Sequence, residues 1–373
     1  DCQSARGERR STTRTAAPGH LFGAAMGIAV ACLARARRTG FLLCRACVPS
    51  PAHFRYCEAC IFTTIMTLDK CFGFFMRIVG PFFVLLLLGI IGFNTWMYFN
   101  TMLPLYVIPN VGPVGTLFNF GIGLWILINL VFNYLRCVFM SPGYPGKDVE
   151  MPDEEYSDNA RTDHIWRWCS RCKAPKPPRS HHCSVCRRCV LKMDHHCPWV
   201  NNCVGHRNYR HFLLFVFYLF IGAIFILMTT MLNRLHDTSD WPRRLRRYSF
   251  LGPIPAQAGQ FALFQIVLAF SAAIALVLFA AWHIYLTCTG QTTLEFYINA
   301  ADRRDARRLG QQWINPFDHG LKANWEEVLQ APPCGLTQFL PSIAEPSTDG
   351  MHWRGLAAAS EINAGGGSHL QRV

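Results

Sequence analysis

No Asp, Glu, Lys or Arg occurs between Ile78 and Leu135, a run of 58 positions. A helix crossing a bilayer needs about 20 apolar residues, so this run predicts two spans and a turn. The first span is expected over Ile78–Phe99, around the apolar block Phe83 to Leu88. Asn100–Pro113 is the expected turn, and Gly115–Tyr134 the second span. A third uncharged stretch, Phe212–Asn233, lies between Arg210 and Arg234, and a fourth, Phe261–Leu286, follows the Arg-rich segment Pro242–Arg247. Trp96, Tyr98, Tyr134, Trp282 and Tyr285 fall near span ends, where amphipathic rings favour the membrane interface. The four stretches have no polar face, which argues against the alternative of four buried helices in a large soluble bundle.

Composition agrees with that pattern. Of 373 residues, 51% are hydrophobic and 16% charged, against roughly 25% charged in a soluble domain. Such a chain is neither disordered nor a simple cytosolic enzyme. The net charge of +13 points to an anionic partner, whether nucleic acid, headgroup or phosphorylated ligand. Four spans put both termini and the 135–211 loop on one side. That side holds 31 Lys and Arg, against 5 in the two opposite loops. The positive-inside rule makes it cytosolic. Neither opposite loop contains cysteine, so the 17 cysteines are expected in a reducing compartment, as metal ligands or reactive thiols.

Seven of those cysteines fall between Cys169 and Cys203. The segment contains Cys169-x-x-Cys172, then His181-His182-Cys183-x-x-Cys186-x-x-Cys189, then Asp194-His195-His196-Cys197, then Cys203. Closely spaced Cys-x-x-Cys pairs let two thiolates hold one tetrahedral zinc ion. With four histidines there are 11 candidate ligands, while two closed sites use eight. Something is left over. A spare thiol beside histidine and aspartate suits nucleophilic catalysis, because an imidazole can take its proton and a carboxylate can orient the imidazole. Val185, Val190, Leu191, Met193, Trp199 and Val200 are the segment's only core candidates, so metal binding would supply its folding free energy.

This segment resembles the cysteine-rich domain of the protein S-acyltransferases named for their Asp-His-His-Cys motif. The match is ungapped from Cys169 through Asn208-Tyr209 and includes Lys192-Met193 and Pro198-Trp199-Val200-Asn201-Asn202. With the spans and the C-terminal motifs it covers roughly residues 75 to 330. The resemblance implies an all-α integral membrane protein: four transmembrane helices, with a cytosolic two-zinc cysteine-rich domain between spans 2 and 3. It implies one zinc on Cys169, Cys172, His182 and Cys189, and another on Cys183, Cys186, His196 and Cys203. Cys197 becomes the acyl-accepting nucleophile, His195 its base, and Asp194 the group orienting His195. Adjacency alone does not choose between His195 and His196. The implied reaction takes a long-chain acyl group from acyl-CoA, palmitoyl-CoA in particular, to a cysteine of a substrate protein, by a ping-pong thioester exchange. Membrane lipid, acyl-CoA and proteins with an accessible cysteine are the expected partners, and nucleic acid is not. Among the basic residues of the loop, Lys176 and Arg179 lead as contacts for CoA phosphates. A cationic shell around anionic zinc sites is the competing use for them, and attraction to anionic headgroups another.

Downstream, Thr292-Thr293-Leu294-Glu295 predicts a capped helix running to about Leu309. The same residues match the family's Thr-Thr-x-Glu motif, implied to brace the cysteine-rich domain on the membrane core. Asn315 and Phe317 belong to a short family motif whose aromatic side chain packs into that core. Ser141-Pro142-Gly143 departs from the family's Asp-Pro-Gly and predicts a weaker local contact without loss of activity. His283 is expected at the membrane interface. Small residues of the third span, Gly222 and Ala223, are expected to leave room for long chains.

The expected organisation is an atypical Arg/Ala/Cys-rich region at 1–75, spans at 78–134, a linker at 135–168, and the catalytic zinc domain at 169–208. Spans follow at 212–286, a cytosolic C-terminal region at 287–330, and a disordered tail at 331–373. Leu21–Ala34 reads as a signal- or transit-like run. Cys44, Cys47, Cys57 and Cys60 are a third zinc set, acylated cysteines or plain thiols. The membrane is expected to be an endomembrane, Golgi or endoplasmic reticulum, or the plasma membrane. A silent zinc scaffold and a membrane-anchored nucleic-acid-binding zinc protein are the rivals. A scaffold has no use for Cys197, and the Cys and His spacing does not fit a nucleic-acid-reading Cys2His2 finger.

Overall fold

The computed structural model describes residues 51–146, 149–150, 166–235, 258–329, 340–343, 345–346 and 348–353. Leu21–Ala34, Cys44, Cys47 and most of the acidic stretch 147–163 lie outside the described residues, as do the side chains of Cys57 and Cys60. The chain divides into two compact units, Asp1–Ile78 and Val79–Val373. Helix α1, Pro51–Met97, contains that boundary. It passes into a π-helical stretch, Tyr98–Val107, followed by α2, Ile108–Phe139. After a segment of short strands come α3, Tyr209–Leu235, and α4, Ala258–Cys288. Two shorter helices close the fold, α5 at Thr293–Arg308 and α6 at Leu321–Leu329.

Four helical segments are long and apolar enough to cross a membrane: Thr67–Pro104, Val111–Phe139, Tyr209–Met231 and Leu263–Cys288. This is the four-span architecture that the charge-free runs predict. Large apolar side chains such as Phe82, Leu85, Phe118 and Leu278 face outward, as a hydrocarbon solvent requires. Asn129, Asn133, Thr230 and Gln265 point inward and are buried. Helix α3 packs against both α2 and α4.

The turn expected at Asn100–Pro113 is not a loop. The chain stays helical through it, first with π geometry around Pro104, and breaks only at Gly112 (φ 67°, ψ 179°). Asn100 is buried and donates to the Trp96 carbonyl, so its polar group is satisfied within the helix. Gly112 takes a left-handed φ that glycine alone adopts freely, and Pro113 lacks the N–H needed to continue the ladder.

Between α2 and α3 lie three antiparallel hairpins of three-residue strands. They are β1 Arg167–Cys169 with β2 Ala174–Lys176, β3 His181–Cys183 with β4 Arg188–Val190, and β5 His195–Cys197 with β6 Asn202–Val204. The domain is tied to the end of α2. The Asn202 side chain donates to the carbonyls of Cys137 (3.0 Å) and Met140 (2.8 Å). Leu191 N and Arg207 N donate to Gly143 O and Pro142 O, each at 3.0 Å. Ser141 Oγ accepts from Gly143 N at 3.3 Å, so the serine of Ser141-Pro142-Gly143 still caps a turn that grips the domain. One apolar core continues from Leu87, Leu130, Tyr134 and Phe215 of the spans into Cys197, Val200 and Val204 of the domain.

Residues of the tail, expected to be disordered, lie in part against this domain. His206 Nε2 donates to Thr348 O at 2.8 Å, and Arg207 pairs with Glu345. The Trp353 ring sits 4.5 Å from the Arg179 guanidinium. A tryptophan that covers a buried cation gains both apolar contact and a cation–π attraction, which the Gly- and Ser-containing composition of the tail concealed.

Candidate functional site

The hairpins bring the cysteines and histidines into two groups of four. Cys169, Cys172, His182 and Cys189 form one, and Cys183, Cys186, His196 and Cys203 the other, with ligand atoms inside each group within 4.8 Å of one another. Register explains the pairing: His182 faces Cys189 and His196 faces Cys203 across their hairpins. His182 Nδ1 lies 3.6 Å from Cys169 Sγ and 3.1 Å from Cys172 Sγ. His196 Nδ1 lies 3.8, 3.4 and 3.6 Å from Cys183, Cys186 and Cys203 Sγ. A tetrahedron with Zn–S near 2.3 Å and Zn–N near 2.0 Å has edges of about 3.5 Å, so the donor sets fit zinc in both chemistry and spacing. Backbone N–H groups of Cys172 and Cys186 point at Cys169 Sγ (3.4 Å) and Cys183 Sγ (3.3 Å). Lys173 and Arg187 close these knuckles with φ of 55° and 57°.

Cys197, His195 and Asp194 belong to neither group. Asp194 is fully buried and makes three contacts. His195 Nδ1–H donates to Oδ2 at 2.6 Å, Thr293 N donates to Oδ1 at 2.8 Å, and Thr293 Oγ1–H donates to Oδ2 at 3.0 Å. Burial works to raise the Asp194 pKa, but these hydrogen bonds and the His195 charge hold it below the ordinary carboxylate value. For His195, burial opposes the charged form. Hydrogen bonds to Asp194 and to Cys197 outweigh it and push the imidazole up to about 9.

Cys197 lines an apolar cavity of about 530 Å³ that runs among the spans, with Leu87, Leu130, Phe215, Ala223 and Leu276 on its walls. Gly222 and Ala223 both line it. Trp199 walls it beside Cys197, its ring 4.9 Å from Phe83 and its carbonyl accepting from Tyr134 OH at 2.8 Å.

The C-terminal motif carries the site's outer support. Thr292 and Glu295 make a reciprocal capping box at the start of α5. Glu295 also receives Arg179 Nε at 2.6 Å and Nη2 at 2.8 Å. Arg179 is 1% exposed and lies 4.2 Å from the Phe317 ring centroid. Two expectations are corrected here. Arg179, read as a CoA phosphate contact, is sealed against a carboxylate and two aromatic rings. Phe317 packs under that guanidinium rather than in the membrane core. Asn315 and Asn324 fasten the segment to α4 by donating to Thr289 O (2.7 Å) and Cys288 O (3.1 Å). Lys176 sits half-buried in β2.

His283 lies near the Cys288 end of α4, as expected, and is 1% exposed within the protein, with Nδ1 3.2 Å from Tyr209 OH. The signal that could have marked it was present: an ionisable residue inside a span is costly and reads as functional by default.

Fold and site define a class of protein: a four-span membrane protein with a thiol, an imidazole and a carboxylate grouped beside an apolar cavity and two Cys3His sets. The family described as DHHC palmitoyltransferase matches residues 162–300. Palmitoyltransferase ZDHHC16 of Mus musculus is 33% identical over 294 residues, covering 74% of this chain and 75% of the relative. Palmitoyltransferase ZDHHC16A of Danio rerio is 29% identical over 317 residues, covering 74% and 79%. Probable protein S-acyltransferase 16 of Arabidopsis thaliana is 34% identical over 203 residues, covering 53% and 68%. The chain belongs to the DHHC palmitoyltransferase family.

Proposed function

We propose that this protein S-acyltransferase carries a long-chain acyl group on Cys197, taking it from acyl-CoA and passing it to a cysteine of a substrate protein. One observation carries the reading: Cys197 lines a long apolar cavity while the Asp194–His195 pair stands beside it. His195 takes the Cys197 proton, and the thiolate attacks the acyl carbonyl carbon. A new C–S bond forms, the CoA thiolate leaves, and it recovers the proton. A substrate thiolate then attacks acyl-Cys197, restoring the free enzyme with an acylated product. One thioester replaces another, so little driving force is required, and placement supplies most of the catalysis. Asp194 keeps Nδ1 of His195 protonated and so leaves Nε2 to accept from the thiol. An imidazole that titrates near 9 keeps that proton at neutral pH.

Along α1 the cavity lining runs from Leu87 to Thr95, about 12 Å at 1.5 Å per residue, and continues at Tyr98 and Phe99 of the π-helical stretch. Each methylene buried there contributes about 0.8 kcal/mol. The two Cys3His sets would each hold one zinc ion, which supplies folding free energy to a domain with a small core. Lys176 remains the proposed basic contact for CoA phosphate. The 31-to-5 division of Lys and Arg supports a cytosolic position for the cysteine-rich domain and both termini, in an endomembrane or the plasma membrane. The partners are then membrane lipid, acyl-CoA and cytosolic-face proteins with an accessible cysteine. Purified protein incubated with labelled palmitoyl-CoA should acquire a hydroxylamine-sensitive label that Cys197→Ser abolishes. A label that survives this change sinks the assignment.

A further inference from the structure

His283 is the histidine of α4, and the reaction above does not use it. It lies close to the Cys288 end of the span and is 1% exposed, and a buried imidazole is expensive unless its polar atoms have partners. Tyr209 OH supplies one for Nδ1, at 3.2 Å. The rest of the ring is walled by Phe279 (centroids 4.7 Å apart) and Phe212 (5.1 Å). Phe212 also packs against His195, at 5.2 Å. The two imidazoles therefore share one aromatic wall, their own centroids 6.0 Å apart. A His283 nitrogen falls within 4.8 Å of both an Asp194 carboxylate oxygen and a His195 nitrogen.

We propose that His283 is a positioning residue of the acyl-transfer site, holding Asp194 from the membrane side. The inference rests on the assignment of Cys197, His195 and Asp194 made above. In this role Tyr209 is the donor to Nδ1, so that the neutral ring carries its proton on Nε2 and offers that N–H to Asp194. A separation of up to 4.8 Å is spanned by one bridging water. Thr293 and His195 already hold Asp194 from the domain side and from α5. A donor from α4 adds a hold from the membrane. The carboxylate then keeps its place when His195 becomes charged, and His195 stays aimed at Cys197. The role requires an N–H at this point in space, so an amide can replace the imidazole and a phenyl ring cannot.

The test uses the full chain in detergent micelles and single-turnover acylation by labelled palmitoyl-CoA. His283→Phe keeps the ring's bulk without its donor. It should slow Cys197 acylation at saturating acyl-CoA by about 10- to 100-fold, the range of one hydrogen bond to a charged group. The half-saturating acyl-CoA concentration should stay within about twofold, and zinc should remain at two per chain. His283→Gln should recover most of the loss. Wild-type rates in His283→Phe would overturn the proposal, and so would a glutamine variant as slow as the phenylalanine variant. Loss of zinc in step with rate would make the role structural. Three zinc ions per wild-type chain falling to two in His283→Phe would make the Asp194, His195 and His283 trio a metal site instead. Cys197→Ser run in parallel separates the two readings, because a label surviving there overturns the nucleophile itself, whatever His283 does.

Discussion

Arg179 of the zinc domain and Glu295 at the start of α5 form a two-pronged ion pair, 2.6 and 2.8 Å, with both side chains 1% exposed. Glu295 Oε2 also accepts from Thr292 N at 2.8 Å, so a single carboxylate caps a helix and clamps a domain. Removing one partner of a buried pair leaves the other charge without compensation, at a cost of about 3–5 kcal/mol. Glu295→Ala should therefore lower the melting temperature markedly and open the 169–208 region to protease. Arg179→Lys should fail nearly as badly, because an ammonium cannot form the fork or stack between Phe317 and Trp353. A melting temperature within a degree of wild type in Glu295→Ala would contradict this account.

Thr293 donates twice to Asp194, once from its backbone and once from its hydroxyl. Thr293→Val removes only the second bond and keeps the shape. The expected loss of about 1.5 kcal/mol corresponds to roughly tenfold slower acylation of Cys197, with zinc retained. Measured single-turnover rates equal to wild type would show that the hydroxyl contributes nothing.

The spans and the cysteine-rich segment were legible in the sequence because uncharged runs and Cys-x-x-Cys spacing are local signals. The capping box was legible for the same reason, with Thr292 and Glu295 three residues apart. Arg179 was misread because its partners lie 116 residues on, at Glu295, and 138 on, at Phe317. No local pattern announces such a contact. The helical path through Asn100–Val107 was hidden by Pro104, which a π-helical stretch tolerates. The docking of Trp353 was hidden by the composition of the segment around it.

His195 and His196 are neighbours whose fates should separate. His196 Nδ1 faces three thiols, while His195 Nδ1 faces Asp194. His196→Ala should release one zinc of two and loosen the domain, as a strong chelator should do to both sites in wild type. His195→Ala should slow acylation with zinc content unchanged. Equal zinc loss in both variants would mean the two histidines have been assigned wrongly.

Glu327 of α6 pairs with Lys192 of the zinc domain. Burial would raise its pKa, but Lys192 and Arg179 outweigh this and hold it at about 2, below its ordinary 4.5. A depressed carboxylate contributes stability that is complete above its unfolded value and is lost as pH falls through the folded one. The docking of α6 should thus be constant at neutral pH and weaken between about 4.5 and 2. Glu327→Gln should flatten the dependence of melting temperature on pH in that window. An unchanged slope would show that other carboxylates dominate.

On the proposed mechanism, the cavity wall on α3 sets how long a chain can enter. Ala223 is 8% exposed and lines the cavity with Gly222 and Phe225, while Cys197 lines it too, alongside Trp199 and Phe212. A Cβ added at Gly222 meets only Ile126 Cγ2, at 3.5 Å, which is ordinary contact. Gly222→Ala should therefore be tolerated and change little. Ala223→Leu adds three carbon atoms, a methine and two methyls, into the cavity, filling space that the distal methylenes of a long chain would occupy. Each methylene displaced forfeits about 0.8 kcal/mol. Loss of the last two should shift the ratio of long- to medium-chain acylation by roughly tenfold or more toward the shorter donor. Competition between palmitoyl-CoA and a medium-chain acyl-CoA, read by mass of the Cys197 adduct, measures that ratio directly. An unchanged ratio in Ala223→Leu would place the chain somewhere other than this cavity.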